Sequence, residues 1–275
     1  RLFGSAAVLG GQILVCGGLR HSTQTIASVE RFDPEARAWS PVSPMLNSRA
    51  AFVLRAIGGR LYACGGLQSA PSSEAASGNE RTVASAEVFR ADGADGADGA
   101  DGAWEALPSM RTARMHAASA VLSDGLYLCG GARMDSPLAS VERFHVGPDR
   151  WEALPRMSQL RIGATAVATD DGRLIVCGGC ASQQFMDSAE SFCPATGFWE
   201  PLQSMLIPRA FAVSACWLGH LYIWGGSPYL HERTEDGERL DLVTGQWEMC
   251  ARMKHQRIGA ASFCVVFSQK KKKKK

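Results

Sequence analysis

Short apolar runs separated by glycine pairs fill most of the chain, and they come in four recurring kinds. The first kind is built of small residues: Ala6-Ala7-Val8-Leu9, His-Ala-Ala-Ser-Ala-Val at 116–121 and Gly-Ala-Thr-Ala-Val at 163–167. The second is larger and more β-prone, and it runs into Gly-Gly: Ile13-Leu14-Val15, Leu61-Tyr62-Ala63, Leu126-Tyr127-Leu128, Leu174-Ile175-Val176 and Leu221-Tyr222-Ile223. The third is Ser-Val-Glu-Arg-Phe at 28–32, with copies at 85–89, 140–144 and 188–192. The fourth carries a tryptophan. Runs of this length, rich in β-branched and aromatic residues and bounded by glycine, predict strands, four to a repeat.

The markers keep one order along the chain. The glycine pairs are Gly17-Gly18, Gly65-Gly66, Gly130-Gly131, Gly178-Gly179 and Gly225-Gly226, spaced by 48, 65, 48 and 47 residues. The tryptophans are Trp39, Trp104, Trp151, Trp199 and Trp247, spaced by 65, 47, 48 and 48. Arginine opens each small-residue run at Arg1, Arg49, Arg114, Arg161, Arg209 and Arg257, with a methionine four residues before the last five of these. A glutamate precedes the third strand's end at Glu30, Glu87, Glu142, Glu190 and Glu238. A period of about 50 residues with fixed markers signals a repeat architecture. Four antiparallel strands per unit, repeated radially, predict an all-β propeller, with small side chains where strands crowd the axis and tryptophan packing between units. Glycine at the end of the second strand permits a positive φ or a close backbone approach.

These residues resemble the Kelch repeat, and most closely the Kelch domains of BTB–Kelch (Kelch-like) proteins. Ser28-Val29-Glu30-Arg31-Phe32-Asp33-Pro34 is a near-complete copy of the motif's third strand and turn. The resemblance covers residues 1–267, with repeats at about 1–48, 49–113, 114–160, 161–208 and 209–256 and a single closing strand at 257–267. It implies five full four-stranded blades plus one extra strand, an incomplete six-bladed ring. Kelch-like domains commonly complete their first blade with the last strand; on that pattern Arg1 opens a second blade and the chain is a fragment. Loss of a sixth blade after the closing strand is the alternative. Repeat two is stretched by a Ser/Ala/Glu-rich insertion near 69–81 and a tandem Ala-Asp-Gly run at 91–102, both expected to be mobile loops between strands.

The formal net charge is +2, but the six lysines at 270–275 leave the rest of the chain four charges negative. Nucleic acid is therefore not an implied partner. The terminal run, 268–275, is set apart from the fold as artefactual or disordered. No apolar run reaches the 18 residues of a membrane span. Four of the nine cysteines, Cys16, Cys64, Cys129 and Cys177, precede a glycine pair. One small buried thiol per repeat, too far from its copies to bridge them, points to a reducing, cytoplasmic compartment. Cys177 is explained by the repeat, so Cys177 and Cys180 do not read as a redox pair.

No catalytic motif stands out. There is no H-E-x-x-H, G-x-S-x-G or phosphate-binding loop, and the six histidines fall at scattered repeat phases. The Asp-rich run lacks the spacing of a calcium loop, and no cofactor or metal is expected. What remains is a binding surface, and the Kelch-like resemblance puts it at the end where the connections between strands 4 and 1 and between strands 2 and 3 open. It implies a protein or peptide ligand there, with Arg1, Arg49, Arg114, Arg161, Arg209 and Arg257 as a ring of guanidinium groups suited to acidic residues. The competing reading makes the same arginines scaffold, paired with the recurring glutamates. Non-repeating residues after Gly-Gly are better candidates for specificity: Arg20, His21, Arg133, Gln183, Gln184, Phe185, Tyr229, His231 and Arg233. The expected function is a protein-interaction module, the substrate-recognition part of a Kelch-like adaptor for a cullin-type ubiquitin ligase acting through an upstream BTB domain. An actin-binding or other cytoskeletal scaffold is the alternative, and a propeller enzyme the remote one.

Overall fold

The computed structural model describes residues 1–21, 23–69, 81–91, 102–123 and 125–259. Among them there is no helix. Five four-stranded antiparallel sheets, each a simple meander, follow one another along the chain. Blade 1 is Ser5–Leu9, Gln12–Cys16, Val29–Asp33 and Ala38–Val42. Blade 2 is Val53–Ile57, Arg60–Cys64, Ala86–Arg90 and Ala103–Leu107. Blade 3 is Ala118–Leu122, Gly125–Cys129, Val141–His145 and Arg150–Leu154. Blade 4 is Thr165–Ala168, Leu174–Cys177, Ala189–Cys193 and Phe198–Leu202. Blade 5 is Val213–Trp217, His220–Trp224, Gly237–Asp241 and Trp247–Cys250. Residues 260–267 of the closing strand expected at 257–267, most of both insertions in repeat two and the lysine run lie outside the described residues. Repeat two nonetheless forms a full blade, because its insertions fall between strands.

The first strands stand side by side around the axis, each blade touching the next. The apolar core is divided among the junctions. One cluster joins Leu14, Cys16 and Val29 of blade 1 to Leu54, Leu61 and Phe89 of blade 2, and three more follow between successive blades. Four tryptophans complete the junctions by donating the indole N–H to a backbone carbonyl of the preceding blade. Trp104 donates to Ser43 at 3.0 Å, Trp151 to Pro108 at 2.8 Å, Trp199 to Pro155 at 2.9 Å and Trp247 to Gln203 at 2.9 Å.

A second seam runs around the axis at one end. The residue two after each repeating arginine has a positive φ: Phe3, Ala51, His116, Gly163, Phe211 and Gly259. Their amides form a chain, Ala51 N–H to Phe3 C=O, His116 to Ala51, Gly163 to His116, Phe211 to Gly163 and Gly259 to Phe211, at 2.7–3.0 Å. Phe3, His116 and Phe211 come from alternate blades and meet edge to face, with ring centres 5.3 and 5.1 Å apart. Burial pushes the His116 imidazole down to about 4, so it is neutral at physiological pH.

Candidate ligand-binding face

The face is built by two sets of connections that meet. The residue after each arginine bridges the residue after each glycine pair: Leu2 to Leu19, Ala50 to Leu67, Met115 to Ala132, Ile162 to Cys180 and Ala210 to Ser227. The 4-to-1 and 2-to-3 connections therefore share one end of the propeller. The glycine pair makes this contact close. The first glycine of each pair has φ between +57° and +69°, and a Cβ on it would stand 2.2–2.7 Å from the next arginine's carbonyl oxygen. The second glycine's N–H donates to that same carbonyl, as from Gly66 to Arg114 at 2.8 Å. No other residue fits both demands.

The arginine side chains turn inward, away from the face. Arg49 donates Nε–H to Glu87 at 2.7 Å and its other N–H groups to the carbonyls of Gly65 and Ser85 and to the Ser85 hydroxyl. Arg114 repeats this with Glu142, Gly130 and Ser140; Arg161 with Glu190, Gly178 and Ser188; Arg209 with Glu238, Gly225 and the Asp236 carbonyl. The second carboxylate oxygen of each glutamate accepts a backbone N–H from the segment that carries the arginine: Leu46, Arg111, Ser158 or Leu206. All four arginines are no more than 1% exposed. The expectation that Arg49, Arg114, Arg161 and Arg209 contact ligand is thus corrected: they are scaffold, because each guanidinium is sealed from the face and held by its glutamate and by backbone carbonyls, although Arg114 Nε and one terminal nitrogen of Arg209 have no partner among the described residues. Arg1 pairs with the half-exposed Glu30 and stays partly accessible. Arg257 is exposed; its carbonyl receives the Gly226 N–H, while among the described residues its side chain has no glutamate.

The non-repeating candidates lie where a ligand can reach them. Arg20, His21, Arg133, Gln183, Gln184, Tyr229, His231 and Arg233 are exposed, and Phe185 is half-buried. In blades 1, 3 and 4 they sit on two-residue hairpins, Leu19–Arg20 with Gln24–Thr25, Ala132–Arg133 with Ser136–Pro137 and Cys180–Ala181 with Gln184–Phe185. His21, Gln183 and His231 adopt positive φ, a strained state for these residue types that holds the tips in sharp turns. Lateral bonds fix the tips of neighbouring blades. Thr25 and Ser69 exchange N–H···Oγ bonds at 2.9 and 3.0 Å, and Met134 N–H donates to the Thr82 hydroxyl at 2.8 Å. Arg1, Arg20 and His21 come together around one cavity at the outer side of blade 1; the remaining candidates are spread over the other blades.

Two features of the axis were missed by sequence reasoning: the aromatic row Phe3, His116 and Phe211, and an arginine, Arg55, in the first strand of blade 2. The row was legible as the position two after each arginine. Arg55 was legible as a charged residue in a strand that is otherwise small and apolar. Among the described residues, no group of three or more His, Cys, Asp or Glu side chains is placed to hold a metal, and no helix is long and apolar enough to cross a membrane. The thiols before the glycine pairs are free and buried, and burial pushes those of Cys16, Cys64, Cys129 and Cys177 up to about 12. They are inert rather than nucleophilic.

Radial four-stranded sheets with a loop face at one end define a β-propeller. Residues 1–46, 113–158, 163–206 and 208–254 match the Kelch motif, and the chain belongs to that family. The segment between the first two matches is repeat two, whose insertions break the motif's spacing. Human Kelch-like protein 33 is 31% identical over 128 residues, 45% of this chain and 24% of that protein. Rat Kelch domain-containing protein 8B is 31% identical over 183 residues, 65% of this chain and 48% of that protein. The chain thus spans about a quarter and about half of these two relatives. The solved structure of YjhT superposes with a TM-score of 0.73 over 90% of this chain and 84% of that one, at 17% identity, a likeness of fold.

Proposed function

We propose that this propeller recognises a short protein segment through the tips of its 2-to-3 connections, as the substrate-recognition part of a Kelch-like adaptor for a cullin-type ubiquitin ligase. The supporting observation is a division of labour among polar side chains. The repeating ones (Arg49, Glu87 and their copies in blades 3 to 5) are buried and paired with one another, and the non-repeating ones are exposed on braced tips. Only differences between blades can tell one ligand from another, and those differences are what the face displays. Arg20, Arg133 and Arg233 place cations on three blades, which favours a ligand with spaced carboxylates. Ubiquitin transfer takes place elsewhere, on machinery recruited through a BTB domain.

Peptides selected from a random library on the propeller should be enriched in Asp and Glu. Changing Arg20, Arg133 and Arg233 together to Glu should weaken them at least about tenfold without lowering the melting temperature. Retained binding, or selected peptides without carboxylates, removes the acidic-ligand reading. For the adaptor role, the full-length protein should co-purify with a cullin from cells. Co-sedimentation with actin filaments in its place favours the cytoskeletal scaffold.

A further inference from the structure

The first strands of the five blades line an axial channel. Their register is fixed by pairing with the second strands: Ser5 opposite Cys16, Val53 opposite Cys64, Ala118 opposite Cys129, Thr165 opposite Cys177 and Val213 opposite Trp224. Two residues further along each strand stand Ala7, Arg55, Ala120, Val167 and Ala215. Four blades fill this row with alanine or valine; blade 2 fills it with a cation. Two cavities of ≈ 180 and ≈ 420 Å³ occupy the channel, and Arg55 lines both, at their junction.

The guanidinium is poorly compensated there. It donates to the Ser119 carbonyl at 2.9 Å, and at 3.4 Å to the carbonyl of Leu54. It pairs with no carboxylate among the described residues, and neither cavity has an aspartate or glutamate in its lining. Burial pulls its pKa down with no neighbouring charge to oppose the shift. A guanidinium carries five N–H donors in a planar fork, so most of its capacity faces the channel. Ser5, Ser119, Thr165 and Ser214 bring hydroxyl groups to the same walls, although Ser5 already donates to Phe52 and the Thr165 and Ser214 hydroxyls bond each other.

We propose that Arg55 anchors a small oxyanion, a phosphate or a carboxylate, inside the axial channel. A partly desolvated charge without a counter-charge is costly, and the row needs only an alanine to pack. The planar fork matches the two-oxygen edge of either anion. The wider cavity runs past Val8, Val121 and Cys216, toward the end opposite the loop face. The site is therefore separate from the peptide-binding tips and does not depend on that reading.

The test is thermal unfolding of the whole chain in inorganic phosphate or acetate, with ionic strength held constant by KCl. At saturating phosphate the melting temperature should rise by about 2–4 °C, and calorimetric titration should report one site. Arg55→Ala, which copies the residue of blades 1, 3 and 5, should fold, should be at least as stable as the parent without phosphate, and should lose both signals. Arg150→Ala, a surface control, should keep them. Acetate stabilising where phosphate does not makes the ligand a carboxylate. Neither anion stabilising the parent, or Arg55→Ala responding equally, overturns the proposal. Arg55→Ala being less stable in the absence of anion also overturns it, since Arg55 would then be a strut to the Ser119 carbonyl.

Discussion

The junctions inside the arc and the outer side of blade 1 are made from the same repeat residues with different results. Trp104, Trp151 and Trp247 are 6%, 9% and 7% exposed, each pinned by its indole N–H to the blade before it. Trp39 holds the same place in blade 1 and is 56% exposed; its ring contact among the described residues is with Phe32, ring centres 5.1 Å apart. Likewise Glu87, Glu142 and Glu238 are sealed beneath their arginines, while the Glu30 side chain is 50% exposed beside Arg1. The difference teaches that a blade does not own its core. Each sheet is a thin meander, and its apolar faces become interior only when another sheet is laid against them.

Three measurements break or sharpen this comparison. The largest effect should come from the buried ion pairs. Arg114→Ala leaves Glu142 charged and enclosed, which should cost about 3–5 kcal/mol in urea unfolding. Arg1→Ala, at the open side, should cost about 1 kcal/mol or less. Equal losses at the two sites would mean that enclosure between blades is not what gives the pair its weight. Next are the tryptophans. Trp151→Ala removes a packed indole and should lower stability by about 3–5 kcal/mol, whereas Trp39→Ala should stay within about 1 kcal/mol. A large loss at Trp39 would show that the face of blade 1 is covered in solution.

The smallest effect is acid sensitivity. His116 is held neutral by burial among the rings and blades around it, with its pKa about 4 in the fold against 6.5 for an imidazole in water. Between those values the unfolded chain binds the proton and the folded one does not. Stability is therefore full above pH 6.5 and falls as pH drops toward 4, by about 3 kcal/mol. His116→Phe, which keeps the edge-to-face row, should flatten that part of the pH profile. An unchanged slope would assign the acid loss to other groups.

Much of the fold was legible because the repeating residues are themselves the contacts between blades. Gly17-Gly18 and its copies recur because each meets the next arginine's carbonyl, and the tryptophans recur because each reaches back to the previous sheet. The arginine ring shows where legibility stops. A guanidinium at the turn before every first strand suits an acidic ligand and a buried glutamate equally well on paper. Only the distance from Arg49 to Glu87, and the closure of the socket around them, decides for the scaffold. Arg55 escaped for the opposite reason. It occurs once, so periodicity hides it, and its meaning depends on which residues of four other strands share its level on the axis. Spacing did identify Arg20, Arg133 and Tyr229 as candidates, because they are the departures from the motif just after Gly-Gly.

The amide stitch from Phe3 to Gly259 has a consequence for how such a domain diversifies. Main-chain atoms alone make each link, so the side chain at each step owes nothing to the seam beyond tolerating a left-handed backbone. Phenylalanine, alanine, histidine and glycine already occupy it here. The ornament around the pore mouth can change from one residue to another while the hoop beneath it stays fastened.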